Sequence, residues 1–192
     1  MVTFIGTTTS SDLTPLVLAE ADLPAGWSTQ TVVASTDTAM PTRGLCGGPT
    51  LAARARRAGR VGHAGVSFIK DPFTGPVLNE SVWTFATATD ASAFMRSIRR
   101  GAMRCADAGH LDPVSGRRST VTVSSASLSL SSETFDVAQT SSAPTVSTAG
   151  DSLYVRAHRL VLALTITGYL VEHSLTKRFT RQALDKLGPA LR

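Results

Sequence analysis

Apolar residues recur along this chain at two spacings, one of three to four residues and one of two, which mark helix and strand respectively. The longest helical stripe gathers Ala91, Phe94, Met95, Ile98, Ala102 and Cys105 on one side, with Arg96, Arg99, Arg100 and Arg104 on the other. That pattern predicts a core-facing helix over Ala91–Ala106, capped by Asp90. Phe179, Ala183, Leu187 and Ala190 repeat the spacing and predict a helix over Ser174–Leu187, stopped by Gly188-Pro189. Shorter helices are expected at Leu13–Leu23, where Pro15 suits a first turn, and at the Arg-rich Thr50–Ala58.

Strand spacing fills most of the remainder. Ser28–Ser35, Val61–Lys70 and Val77–Thr87 read as strands in the first half, and Thr120–Leu130, Glu133–Ser142, Leu153–Ala157 and Leu160–Thr167 in the second. Leu160, Leu162, Leu164 and Ile166 form an apolar face, while Val77, Asn79, Ser81, Trp83 and Phe85 lie on one face of their strand by the period-two rule. In Thr120–Leu130 the apolar set moves from Val121 and Val123 to Ala126, Leu128 and Leu130, a slip that predicts a bulge at Ser124-Ser125. Asp71-Pro72-Phe73-Thr74-Gly75-Pro76 reads as a hairpin loop, and Gly109–Arg118 as a loop after the long helix. The order of elements predicts an α+β fold, an antiparallel β-sheet with helices packed on one or both faces. Residues 1–12 read as a flexible tether and 13–192 as one domain, which suits a chain of 192 residues.

Composition narrows the setting. Charged residues make up 17% of the chain, against about a quarter in an average soluble protein, and 21 Ser with 25 Thr take their place. The surface this predicts is hydroxyl-rich and sparsely salt-bridged. Net charge is +5, built from 16 Arg and only 3 Lys, and Asn occurs once, as GC-rich codon usage produces. Such a charge permits attraction to anionic partners without defining one. No run approaches the roughly 18 apolar residues of a membrane span.

Cys46 and Cys105 are the two cysteines, too few for a structural zinc site and not in a C-x-x-C motif. They read either as one disulfide closing a loop of about 60 residues or as two separate buried thiols; the hydroxyl-rich, weakly charged composition favours the bridge and an oxidising compartment. Val2-Thr3-Phe4-Ile5 is too short for a signal-peptide core, and no apolar stretch precedes the lipobox-like Arg43-Gly44-Leu45-Cys46. The expected location is extracytoplasmic or cell-envelope, with the signal or anchor absent from this chain.

Reactive constellations are missing from the linear sequence. No G-x-S-x-G elbow or G-K-[ST] phosphate loop occurs, and His63, His110, His158 and His173 show no ligand spacing. No catalytic residue, metal site or cofactor is therefore expected. Arg54, Arg56, Arg57 and Arg60 cluster on the short helix, and Arg96, Arg99, Arg100 and Arg104 line the long one. Of these, Arg54, Arg57, Arg96, Arg99, Arg100 and Arg104 are candidates for anion binding, because guanidinium meets phosphate and carboxylate bidentately. The simpler reading is a solvated helix face. Nucleic acid is not an expected partner, since no aromatic interleaves with the arginines.

Leu23-Pro24-Ala25-Gly26-Trp27, the Cys46-Gly47 loop, a strand pair, a helix ending in Cys105 and a strand-rich second half resemble the PknH-like extracellular sensor domains of actinobacteria. The resemblance spans about residues 13 to 190. It implies a PsbP-like α/β/α sandwich and a non-catalytic module, found on lipoproteins and receptor kinases, with a cleft for a ligand. Members often carry a second disulfide, which two cysteines cannot form, and no kinase segment is present. The expected function is a non-enzymatic extracytoplasmic sensor or ligand-binding domain of the cell envelope, its ligand a cell-wall, lipid or glycan component. The alternative is a structural or assembly protein that docks a protein partner through its arginine faces; an unrecognised hydrolase comes third.

Overall fold

The computed structural model describes residues 10–34, 48–71, 75–108, 110–111, 118–126, 128, 133–142, 147–169 and 171–188. Its strands are β1 (Ser28–Ala34), β2 (Arg60–Ile69), β3 (Val77–Phe85), β4 (His110–Leu111), β5 (Arg118–Ser125), β6 (Glu133–Ser142), β7 (Ser147–Ala157) and β8 (Leu160–Gly168). They form one sheet in the order β1-β2-β3-β8-β7-β6-β5-β4, with every pairing antiparallel. The helices are α1 (Leu51–Arg57), α2 (Ala88–Ala108) and α3 (His173–Leu187), preceded by 3-10 turns at Ser10–Leu16 and Glu20–Asp22.

Helices cover both faces. α2 lies across β5, β3, β7 and β8 with α1 beside it, while α3 and the first 3-10 turn pack on the opposite face. This is the expected α+β architecture, in its α/β/α form. Because both faces are covered, the central strands carry apolar side chains at successive positions. Leu160, Leu162, Leu164 and Ile166 of β8 join Leu78, Val82, Leu153, Phe179 and Leu184 in one cluster. Val161 and Ala163 point the other way, to Trp83, Phe85, Phe94, Met95 and Phe135. Each fully buried Leu or Phe contributes about 1.5–3 kcal/mol, so the two layers supply most of the driving force.

The predicted stripe of α2 is buried throughout, and its four arginines are exposed. Its start differs from expectation. Thr87 is the capping residue: its Oγ1 accepts from the Asp90 N–H at 3.1 Å, and Asp90 Oδ2 accepts from the Thr87 N–H at 3.2 Å. Asp90 thus completes a reciprocal box from inside the first turn. Thr50 caps α1 by accepting from the Ala53 N–H at 3.1 Å.

Two further expectations change. Leu13–Leu23 is not one α-helix but two 3-10 turns separated by an extended link. Leu13, Val17 and Leu18 are nevertheless buried, which explains their helix-like spacing. The bulge at Ser124-Ser125 is absent, because β5 pairs with β6 without interruption from Arg118↔Ser142 to Ser125↔Phe135. Val121 and Val123 face the α2 layer and Ala126 and Leu128 pack with the α3 layer, so the slip marks a change of face. On β3 the face of Val77, Asn79, Ser81, Trp83 and Phe85 turns to α2 as expected, with Trp83 and Phe85 fully buried and Asn79 exposed, while Leu78, Glu80, Val82 and Thr84 are buried on the opposite face.

At Pro24-Ala25-Gly26, Gly26 holds a φ of 93°, a conformation that favours glycine. The turn delivers Trp27 edge-on to Phe179 at 5.5 Å between ring centroids, joining β1's approach to α3. Residues 1–9, Ser35, the loop holding Cys46, residues 72–74, most of the Gly109–Arg118 loop, Leu130 and Ala190 lie outside the described residues.

Candidate functional site

The period-two rule places Asp136 of β6 and Asp151 of β7 on the α3 side of the sheet, since Phe135, Val137 and Tyr154 face α2. In the antiparallel register Asp136 stands opposite Leu153 and Asp151 opposite Ala138, so the two carboxyls meet diagonally on one face. His173, the first residue of α3, closes the group from above. Its Nδ1 lies 2.8 Å from Asp151 Oδ2 and 3.8 Å from Asp136 Oδ2. Ser124 on β5 donates to Asp136 Oδ2 at 3.3 Å.

The electrostatics of this group are unusual for a sheet face. Asp136 and Asp151 are 6% and 5% exposed, yet among the described residues neither pairs with a lysine or arginine. Asp136 Oδ1 and Asp151 Oδ1 are both buried without a hydrogen-bond donor among the described residues. Burial, and then the adjoining Asp151 carboxyl, push Asp136 up to about 6, against the pull of His173 and Ser124. Two buried carboxyls this close hold a proton between them or need a cation.

No linear spacing announced this set. Each aspartate sits alone in a strand, and only the β6–β7 register and the landing point of α3 assemble them. The chain's scattered histidines gave no ligand pattern in sequence; the fold gives His173 two carboxylate neighbours.

A second buried carboxyl, Glu80, sits on β3 beneath the 3-10 turns. Its Oε2 accepts from the Leu18 N–H at 2.7 Å, while Oε1 has no donor among the described residues. Burial pushes Glu80 up to about 7, only partly opposed by the Leu18 N–H and Lys186. Lys186 itself pairs with Asp22, joining α3 to the second 3-10 turn and holding Asp22 below its ordinary value.

The candidate anion-binding arginines divide into two kinds. Arg54 reaches from α1 to α2, where its Nη1 donates to the Ser97 carbonyl at 2.7 Å and its Nε to the Pro49 carbonyl at 3.1 Å. Gly101 leaves room for it, since a Cβ there would stand 2.7 Å from Nη2. Burial first, and then the positive charges of Arg104 and Arg57, lower the Arg54 pKa. Arg57, Arg96, Arg99, Arg100 and Arg104 are exposed, with Arg96 donating to Ser92 Oγ at 2.8 Å. Cys105 is buried at the α2 core face, as its place in the stripe required; its proposed partner Cys46 is outside the described residues. His158 is exposed at φ 53° in the two-residue turn between β7 and β8.

The sheet order and its two helical layers have a counterpart among solved structures. The crystal structure of the extracellular domain of PknH from Mycobacterium tuberculosis aligns with a TM-score of 0.73. The alignment covers 95% of this chain and 97% of that one at 16% identity. This chain has the fold of the PknH extracellular domain. No protein-family model matches the chain, and no curated protein matches it in sequence. Among the described residues no helix is long and apolar enough to cross a membrane.

Proposed function

We propose that this chain is a non-enzymatic, extracytoplasmic sensor or ligand-binding domain of the cell envelope. The observation that carries the reading is end-to-end likeness of fold to a domain that is itself extracellular. A fold hosts many functions, so the hydroxyl-rich, weakly charged composition and the two cysteines supply the independent support. The ligand class is a cell-wall fragment, an envelope lipid or a glycan. Equilibrium binding of the purified chain to panels of all three tests this, together with fractionation of cells expressing the native gene. Saturable binding to one class and recovery in the envelope fraction are expected. Recovery in the cytoplasm, or no saturable binding to any class, overturns the reading.

The four exposed arginines on the solvent side of α2 favour a second reading, a docking surface for an acidic protein partner. Co-purification with a partner that is released at high salt supports it. A strict monomer by light scattering at both low and high salt, with no such partner, argues against it.

A further inference from the structure

We propose that Asp136, Asp151 and His173 bind a divalent first-row transition-metal ion, zinc by preference, between the sheet and the first turn of α3. The three offer one ligand atom each, all within 4.8 Å of one another. Ligand atoms around a tetrahedral zinc at its usual bond lengths stand roughly 3.3 Å apart. The observed separations from His173 Nδ1, 2.8 and 3.8 Å, straddle that value, so small side-chain movements admit the ion.

Burial supplies the second argument. The Oδ1 atoms of both aspartates are buried and lack donors among the described residues. Two carboxylates buried this way are costly unless they share a proton or a positive group meets them, and His173 reaches them on the Oδ2 side. No first-turn backbone N–H of α3 donates to either carboxyl among the described residues, so the helix end does not answer the need. A metal ion does, by neutralising both carboxylates at the oxygens beside His173 Nδ1. One imidazole with two carboxylates selects zinc and its neighbours over magnesium or calcium, which prefer larger all-oxygen shells. Ser124, bonded to Asp136 Oδ2, helps orient that ligand. The ion would join β6 and β7 to the start of α3. The proposal stands whether or not the chain is a sensor.

The test uses the whole chain, stripped with chelator and titrated with Zn2+ by calorimetry and with Co2+ by visible absorption. One equivalent of zinc, a cobalt d–d band and no response to Mg2+ are expected. His173→Gln, at a half-exposed side chain that the fold tolerates, weakens zinc by about a hundredfold or more, beyond what a lost supporting residue costs. Asp151→Asn does the same, checked for folding by circular dichroism. His158→Gln, on the remote exposed turn, keeps full affinity. A wild-type chain that binds no zinc overturns the proposal, as does unchanged affinity in His173→Gln or a loss that follows His158→Gln instead.

Discussion

Glu80 sets a pH dependence that can be worked through from its surroundings. The side chain is 1% exposed, and among the described residues only Oε2 of its two oxygens meets a donor, the Leu18 N–H. Burial therefore favours the neutral acid and raises its pKa from 4.5 to about 7. Below 4.5 the group is protonated in both folded and unfolded chains and has no effect on the balance between them. Between 4.5 and 7 the unfolded chain has released the proton and the folded chain still holds it. Stability then falls by about 1.4 kcal/mol for each pH unit, and the fall ends once the folded form also ionises. The accumulated loss is roughly 3 kcal/mol, fully present above pH 7. Glu80→Gln removes the titration while its amide oxygen still accepts from Leu18. Its unsatisfied amide N–H costs about 1–3 kcal/mol at every pH, so the slope rather than the absolute stability is diagnostic. Urea unfolding of both proteins at pH 5, 6, 7 and 8 gives the difference curve, in which other groups such as Asp136 cancel. The variant should gain on the wild type steadily from pH 5 to 7 and hold that gain at pH 8. A flat difference curve would refute the assignment of a neutral buried acid.

Two further outcomes are expected. Non-reduced, denatured protein should show no free thiol, and Cys105→Ser should cost about 2–5 kcal/mol through loss of the bridge to Cys46; two titratable thiols would leave Cys105 as a simple core residue. Arg54→Ala should cost about 2 kcal/mol, since two carbonyls lose a charged donor at the α1–α2 contact, whereas exposed Arg99→Ala should stay within about 0.5 kcal/mol. Equal costs in urea unfolding at neutral pH would deny Arg54 its clasping role.

What could be read from the sequence is what depends on local period. The α2 stripe and the apolar faces of β8 follow from spacing alone, because burial imposes the period of the backbone on the side chains. Leu13–Leu23 misled because leucines and valines at helical intervals also serve two 3-10 turns pressed on the sheet. The Thr87-x-x-Asp90 box was present in the sequence, but the helix stripe starts only at Ala91 and drew the boundary with it. Asp136, Asp151 and His173 were beyond reach for a different reason. Their meeting depends on a strand register and on where a helix lands, neither of which is encoded within a few neighbouring residues.

The position of β8 has a consequence for how the chain acquires its shape. β1–β3 and β5–β7 are each runs of sequence neighbours that can pair as soon as they exist, yet among the described strands they are hydrogen-bonded into one sheet through β8, which follows both groups in the chain. Its contacts with β3 join residues as distant as Val77 and Thr167, so chain-closure entropy opposes them until both meanders are in place. Until residue 167 is available, β3 and β7 present open edges where the finished sheet has its middle. A polypeptide that emerged amino terminus first would therefore carry two unjoined sheets, prone to pair with other chains, until the strand that closes them follows.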